Sequence, residues 1–327
     1  MADTQAAPPS APARTSMSRV GLTGVETVIL IGVDGHSPQP FSARLECLVE
    51  LGPAQRAAQP SRFEDVIGDA VHGLVLDDAG LRVERLAQQV AERVRQALDA
   101  PRAEVTIAAR FPERRPAPVS GTPTEEIATL HGTAVASGGG TRRMVGVSAQ
   151  GMTTSPYAQR LLVTRARDRL TAGGFSDAQI ERIVAAVPVA THSRLSVGTL
   201  QLGCPEDGAL EFDVVVLRAV VEAAMASEIF ELLKRSDEAA VVERAHRRPR
   251  FVEDCVRAMV AGVVERFAGV PDDVFVAAAQ RDIETVRGHD VIAERAGLLG
   301  ELRRELATGQ ATARQTSTRD WLDAAGG

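Results

Sequence analysis

Three stretches of the 327-residue sequence place polar side chains inside otherwise apolar, regularly patterned segments. They are ATHSRL around His192, LLKRSDEAAV around Glu238 and RPRFVEDCVR around Glu253. Histidine and carboxylate side chains can transfer protons or bind a divalent metal ion. Each residue also has a plainer interpretation. His192 could be hydrogen-bonded at a strand end, and Glu253 could cap a helix. Asp237 and Glu238 could belong to a solvated ion-pair face.

Composition excludes several kinds of function. The net charge of -6 and the pI near 5.6 argue against a surface that binds nucleic acid, so a nucleotide ligand would be a small molecule in a local pocket. Cys47, Cys204 and Cys255 are too widely spaced for a zinc ribbon and too few for a disulfide framework, which favours a reducing cytoplasm. No apolar run approaches the roughly 20 residues that cross a bilayer, and the glycines at 138–140 are not followed by the Lys-Ser/Thr pair of a phosphate-binding loop. We therefore expect no membrane insertion and no phosphate-binding loop.

The first half of the sequence alternates between strand-like and helix-like patterns. Segments with β-branched or alternating apolar residues predict four strands: 27–33, 43–51, 105–111 and 126–135. Ser61 and Glu64 have the spacing of a capping box, which predicts the start of a helix. A second helix is predicted where apolar residues recur every three or four positions: Val83, Leu86, Val90, Val94 and Leu98.

The second half repeats this alternation after a Pro-rich segment, 112–123, that we interpret as a hinge. Strands are predicted at 142–150, 196–204 and 273–280, and helices at 156–170, 214–233, 250–267 and 290–306. The order of elements predicts an α+β chain. Residues 1–17 are expected to be a disordered tail, and residues 308–327 a flexible tail outside the core.

The polar motifs in their order resemble one known family. KRSDE at 234–238 and RPRFVEDCVR at 248–257 are similar to the Lys-Arg-x-Asp-Glu and Pro-x-Phe-Val-Glu-Asp signatures of the type IB GTP cyclohydrolases, which serve bacterial folate or archaeal methanopterin synthesis. The resemblance extends from about Val20 to Leu306. Further motifs that carry it are GMTTSPYAQ at 151–159, ATHSRL at 190–195, ASEIFELLKR at 226–235 and DIETVRGHD at 282–290.

This resemblance implies two tandem tunnelling-fold units, at 18–120 and 121–307, each with an antiparallel sheet and packed helices. It implies a homo-oligomer, with a tetramer expected. The implied enzyme is a cytoplasmic hydrolase that opens the purine ring of GTP and releases formate and a dihydropterin-type product. A divalent metal ion, Zn, Mn or Fe, would activate water for this reaction.

The resemblance also assigns site residues. The family's metal ligands correspond to Ser155, His192 and Glu238, but Ser155 and Tyr157 stand where the family has a Cys-Pro-Cys pair. Because a neutral hydroxyl lacks the charge and softness of a thiolate, we expect weak metal binding. Glu253 corresponds to the residue that anchors the purine edge. Further substrate contacts are expected from Arg62, Arg194, Lys234 and Arg235.

The expected catalytic residues are Glu284, Arg287 and Ser155. Arg287 stands where the family has a proton-transferring histidine, and a guanidinium keeps its charge near neutral pH. His289 could replace that histidine or could be a surface residue. Gln59 and Leu195 also depart from the family's motifs.

Three hypotheses remain open from the sequence. The chain could open the purine ring of GTP, perform altered purine or pterin chemistry in the same pocket, or bind a nucleotide as a non-catalytic subunit. The implied fold favours the first hypothesis, and Arg287 in place of a histidine would add a fixed anion-binding group for the second. Retained Glu253 with lost metal ligands is what the third predicts.

Overall fold

The structure of this chain is a computed structural model that describes residues 15–31, 39–53, 64–66, 68–69, 82–204, 210–312 and 315–324. Within these ranges the chain forms one sheet of nine strands, with helices packed against it. All strand pairs are antiparallel. The predicted α+β class is therefore confirmed.

The strands and helices of the described residues are numbered in chain order. The strands are β1 (Met17–Ile31), β2 (Gln39–Leu51), β3 (Arg102–Pro116), β4 (Pro123–Ser137), β5 (Gly140–Thr154), β6 (Ser193–Cys204), β7 (Ser227–Glu228), β8 (Phe275–Ile283) and β9 (Val291–Leu298). The helices are α1 (Val83–Ala97), α2 (Pro156–Ala172), α3 (Asp177–Ala186), α4 (Val214–Ala224), α5 (Arg235–Arg247), α6 (Val252–Arg266), α7 (Leu299–Thr308) and α8 (Thr318–Asp323). The order across the sheet is β1-β2-β3-β4-β5-β6-β8-β9, and β7 pairs with β5.

The main core lies between α1, α4 and α6 and one face of the sheet, which we call the helix-facing side. Strand residues two positions apart point to the same face, so Leu45 and Cys47 of β2 are both buried there. In α1 the predicted apolar positions are buried, among them Leu86 and Val90. The predicted helix is confirmed because its apolar period matches the turn of an α-helix.

The Pro-rich segment 112–123 is a β-hairpin rather than a simple hinge. Residues 112–116 continue β3 and pair with 123–127 of β4. Beyond Ala109, β3 no longer pairs with β2, and a strand that is paired on one side only can accept proline. The predicted division at residue 120 into two units stays a prediction.

Two predicted helices were wrong in part. The helix expected at 214–233 ends at Ala224, and β7 follows because it pairs with β5. The helix expected at 290–306 is strand β9 up to Leu298 and becomes helical only in α7. Pairing with β8 overrides the helix-forming composition of β9, and such long-range pairing is absent from the local pattern. The pattern also missed α3 and α5.

The C-terminal segment was predicted to lie outside the core, and for Trp321 this was wrong. Trp321 is buried in α8 and stacks on Phe275 with ring centroids 5.2 Å apart. Its ring passes so close to β6 that a Cβ at Gly203 would lie 2.4 Å from it. Two adjacent apolar residues, Trp321 and Leu322, in an otherwise polar segment give no periodic signal, so the sequence did not reveal this contact.

Some predictions fall on residues that the structure does not describe. Residues 1–14 of the predicted N-terminal tail lie outside the described ranges. The helix predicted after Ser61 is described only at 64–66 and 68–69, and these residues are helical. None of the helices in the described ranges is long and apolar enough to cross a membrane.

Candidate functional site

A group of polar side chains lies on the helix-facing side of the sheet, where β5 and β8 end and β6 begins. Thr153 of β5 lies opposite Arg194 of β6, and Ser196 of β6 lies opposite Asp282 of β8. Alternate residues of a strand share one face of the sheet. On this face, the side chains of these strands are apolar nearer the middle of the sheet and polar at this end. We call Thr153, His192, Arg194, Ser196, Gln280, Asp282 and Glu284 the polar cluster.

Asp282 is the acceptor at the centre of the polar cluster. Its side chain is completely buried. Its oxygens accept hydrogen bonds from Thr153 Oγ1 at 2.6 Å, Ser196 Oγ at 2.8 Å, Gln280 Nε2 at 3.2 Å and Arg194 Nη1 at 3.2 Å. A buried carboxylate is tolerated only with such donors. Asp282 therefore fixes the position of Arg194.

Arg194 joins the two acidic residues of the cluster. Its Nη1 is 3.2 Å from Asp282 Oδ2, and its Nε is 2.8 Å from Glu284 Oε1. Its Nη2 lies 3.3 Å from His192 Nε2. The guanidinium is nearly buried, and it holds Glu284 and His192 beside each other.

Glu284 retains one oxygen that is free to bind a ligand. The side chain is only 2% exposed, and its Oε2 accepts no hydrogen bond from the described residues. This oxygen lies 3.8 Å from His192 Nε2, which is too far for a direct hydrogen bond. The His192 side chain is 22% exposed and so is open to solvent. A ligand group with a proton can therefore donate to this oxygen beside the His192 imidazole.

Ser155 lies at the same end of the sheet, directly after the pair formed by Thr154 and Ser193. Its Oγ caps α2 by accepting a hydrogen bond from the backbone N–H of Ala158 at 3.3 Å. Ser155 is buried. The hydroxyl thus has a structural role as well as its predicted place in the site.

The motif at the start of α5 contains two neighbouring acidic residues, of which one is buried and the other exposed. Asp237 is completely buried and accepts hydrogen bonds from the backbone N–H groups of Val119, Ser120 and Lys234, which lower its pKa to about 2. Glu238 is exposed. Asp237 is therefore not part of a solvated ion-pair face.

Glu253 lies in the first turn of α6 and is exposed. It lines a cavity of about 230 Å³ that α6 forms with β9 and α7. Just before α6, the Arg250 N–H donates to the Thr154 carbonyl at 3.2 Å, so this part of the chain lies beside the end of β5.

The remaining predicted residues lie outside the polar cluster or outside the described ranges. Lys234 and Arg235 are exposed at the start of α5, and Arg287 is exposed in the loop between β8 and β9. Arg62 and Gln59 lie outside the described residues. Contacts of these side chains with a substrate stay predictions.

The donor set that the resemblance implies does not fit a metal site as these residues are arranged. His192 Nε2 faces a guanidinium, and Ser155 Oγ caps a helix. His192 and Glu284 are neighbours, but in the described part of the chain no third His, Cys, Asp or Glu completes a group that could hold a metal ion. Two strong donors are too few for a closed site.

Sequence reasoning missed Asp282, Thr153 and Ser196. A usable signal was present, since Arg194 and Ser196 are two residues apart in β6, and Glu284 follows two residues after Asp282, directly beyond the end of β8. These residues predict a buried group of interacting charges only if it is known that the two strands are neighbours in the sheet.

The fold and then the family of this chain follow from comparison with known proteins. Uricase from Arthrobacter globiformis has a similar structure, with a TM-score of 0.50, 9% identity and coverage of 92% of this chain and 96% of that chain. At this identity the likeness shows a shared fold alone. Residues 1–293 match the family described as type I GTP cyclohydrolase folE2.

Individual relatives give the same result. GTP cyclohydrolase MptA of Methanococcus aeolicus is 34% identical over 310 residues, which cover 93% of this chain and 99% of the relative. GTP cyclohydrolase MptA of Haloarcula marismortui is 34% identical over 306 residues, with coverage of 93% and 97%. The chain belongs to the type I GTP cyclohydrolase folE2 family, a family of hydrolases.

Proposed function

We propose that this chain hydrolyses the purine ring of GTP, or of a close purine nucleotide, to formate and a dihydropterin-type product. The observation that carries the proposal is the buried Oε2 of Glu284, which accepts no hydrogen bond from the described residues and lies 3.8 Å from His192, in a chain of this family. A buried carboxylate oxygen with no hydrogen-bond donor of its own is suited to accept a proton from a ligand or from water.

The roles of the cluster follow from its contacts. Arg194 Nε lies 2.8 Å from Glu284 Oε1, so Oε2 is the oxygen left to accept a proton from the reacting water. His192 Nε2 lies 3.8 Å from that oxygen, so the imidazole borders the position of the reacting water. Asp282 does not reach solvent and acts by positioning Arg194.

Substrate recognition is assigned to Glu253. Its exposed carboxylate beside the 230 Å³ cavity can accept hydrogen bonds from the amino group and ring N–H of guanine. Loss of such a charge-assisted pair should cost about 1.5–3 kcal/mol of binding free energy. Calorimetry with GTP should show weaker binding for Glu253→Gln and unchanged binding for Glu265→Gln, an exposed residue in the last turn of the same helix. Equal affinity of the Glu253 variant and the wild type would contradict this assignment.

A divergent relative with altered purine or pterin chemistry is the second candidate. The observation that favours it is the Arg194 guanidinium beside His192, together with Ser155 as a helix cap. Both features differ from the metal site that the resemblance implies. A non-catalytic nucleotide-binding subunit is the third candidate.

Product analysis separates these candidates. Purified protein is incubated with GTP and with other purine nucleotides, and formate and pterins are identified by mass spectrometry. Formate from GTP supports ring opening, and substrate loss without formate supports altered chemistry. Calorimetric binding without any product supports the non-catalytic subunit, while absence of both binding and product contradicts the proposal.

The finer family features belong to the same proposal. We infer a type IB enzyme with two tandem tunnelling-fold units per chain, assembled as a cytoplasmic homotetramer. The continuous antiparallel sheet supports this arrangement, since strands on either side of β4 and β5 join in it. Light scattering of the purified protein tests the tetramer.

A further inference from the structure

Arg194 lies beside His192 and Glu284, two residues whose side chains could otherwise bind a metal ion. We propose that its guanidinium supplies a fixed positive charge beside His192 and Glu284, so that this site binds its ligand without a divalent metal ion. The proposal rests on the proposed function in placing the ligand at the polar cluster. Its metal measurements do not depend on turnover.

The first argument is the use of the imidazole lone pair. Arg194 Nη2 lies 3.3 Å from His192 Nε2, and every guanidinium nitrogen can only donate. His192 Nε2 is therefore the acceptor of this contact, with its proton on Nδ1. The lone pair that would bind a metal ion is directed at Arg194 instead.

The second argument is electrostatic. A metal ion bound to an imidazole nitrogen lies about 2 Å from it, which would place a divalent cation close to the guanidinium. Arg194 cannot lose its charge to relieve the repulsion. It also cannot easily turn away, because Asp282 and Glu284 hold it at 3.2 Å and 2.8 Å and its side chain is only 9% exposed.

The third argument concerns what remains for a ligand. Arg194 neutralises one of the two neighbouring carboxylates, so a negative charge remains at the free oxygen of Glu284. With His192 already engaged, that oxygen alone cannot form a metal site. It can accept a hydrogen bond, and the matching ligand chemistry is an N–H or O–H group of a purine or of the water that attacks it.

Zinc titration of chelator-treated protein tests this proposal. We expect no saturable binding of Zn²⁺ at the cluster of the wild type. Arg194→Gln should raise zinc affinity by about 10–100-fold, the usual range for changes next to a metal site. The matched control is Arg281→Gln, which removes an exposed arginine of β8 that pairs with Asp290. The control should bind no more zinc than the wild type.

One zinc ion per wild-type chain, lost in His192→Gln, would overturn the proposal, and this comparison decides even if Arg194→Gln does not fold. Unchanged zinc affinity in a folded Arg194→Gln protein would also overturn it. Formate release that requires zinc would contradict this inference while supporting the proposed function. Absence of GTP binding, with the zinc results as expected, would contradict the proposed function alone.

Discussion

Two regions of the helix-facing side are both buried but contain different kinds of side chain. Under α1, the paired residues Leu45 of β2 and Ile107 of β3 are apolar and completely or almost completely buried. Near α6, β6 and β8 pair apolar residues such as Leu200 and Ala278, but at one end of this pair of strands the buried partners are Ser196 and Asp282. The first region only holds the fold together, whereas the second also keeps charges out of water.

The second region, with its buried charges, lowers the stability of the fold. A row of apolar residues would fill the second region without any need for matched donors. The chain instead places Arg194 between two carboxylates and leaves one oxygen of Glu284 without a donor among the described residues. A buried arrangement of this kind is expected at a site that binds or transforms a ligand.

The largest stability effect is expected at the centre of the polar cluster. Asp282→Ala removes the carboxylate that four donors share and leaves Arg194 less well paired. The free energy of unfolding in urea should fall by about 3–5 kcal/mol. The matched change Asp290→Ala breaks an exposed pair with Arg281 and should cost at most about 1 kcal/mol. Similar losses of unfolding free energy for both variants would contradict the expected difference between the buried polar cluster and an exposed ion pair.

A truncation in the apolar core under α1 should lower stability without changing ligand affinity. Ile107→Ala leaves a cavity against Leu45 and should lower the free energy of unfolding by about 2–5 kcal/mol. Because no charged group of the polar cluster touches this position, GTP affinity measured by calorimetry on the folded variant should stay unchanged. A loss of GTP affinity would show that the first region also shapes the ligand site.

His131 of β4 offers a smaller, pH-dependent test, because its imidazole is half-buried and has no charged partner among the described residues. Burial lowers the pKa of His131 from 6.5 to about 4, and its Nε2 lies 2.7 Å from Ser148 Oγ. As the pH falls below 6.5, His131 binds a proton in the unfolded chain but stays neutral in the folded chain. Stability should therefore be full above pH 6.5 and fall by up to about 3 kcal/mol as the pH approaches 4.

The check is the free energy of unfolding across that pH range for His131→Gln. This variant should lose less stability than the wild type on acidification. His289→Gln, which changes an exposed histidine, should follow the wild type. If both variants follow the wild type, burial of His131 is not the cause of the pH dependence.

Local periodicity was enough for elements whose burial pattern is regular. The apolar period of α1 and the proline at the start of α2 predicted both helices. Strand β9 was mistaken for a helix because its identity depends on pairing with β8. Trp321 was misplaced for a similar reason, since it packs on a strand far away in the sequence.

The site was predicted unevenly. The family resemblance identified His192, Arg194 and Glu284, which the structure brings together. It did not identify Asp282, because the role of Asp282 depends on which strands pair. The register of β5, β6 and β8 supplies that information.

The most direct test of the account follows the C8 carbon of GTP. GTP labelled with a carbon isotope at C8 is incubated with wild-type protein, Glu284→Gln and the control Glu243→Gln, which changes an exposed residue of α5. Labelled formate is then measured by NMR. The account predicts labelled formate from the wild type and the control, and at least about 100-fold slower release from Glu284→Gln. Equal formate release from all three proteins would contradict the placement of the chemistry at the polar cluster.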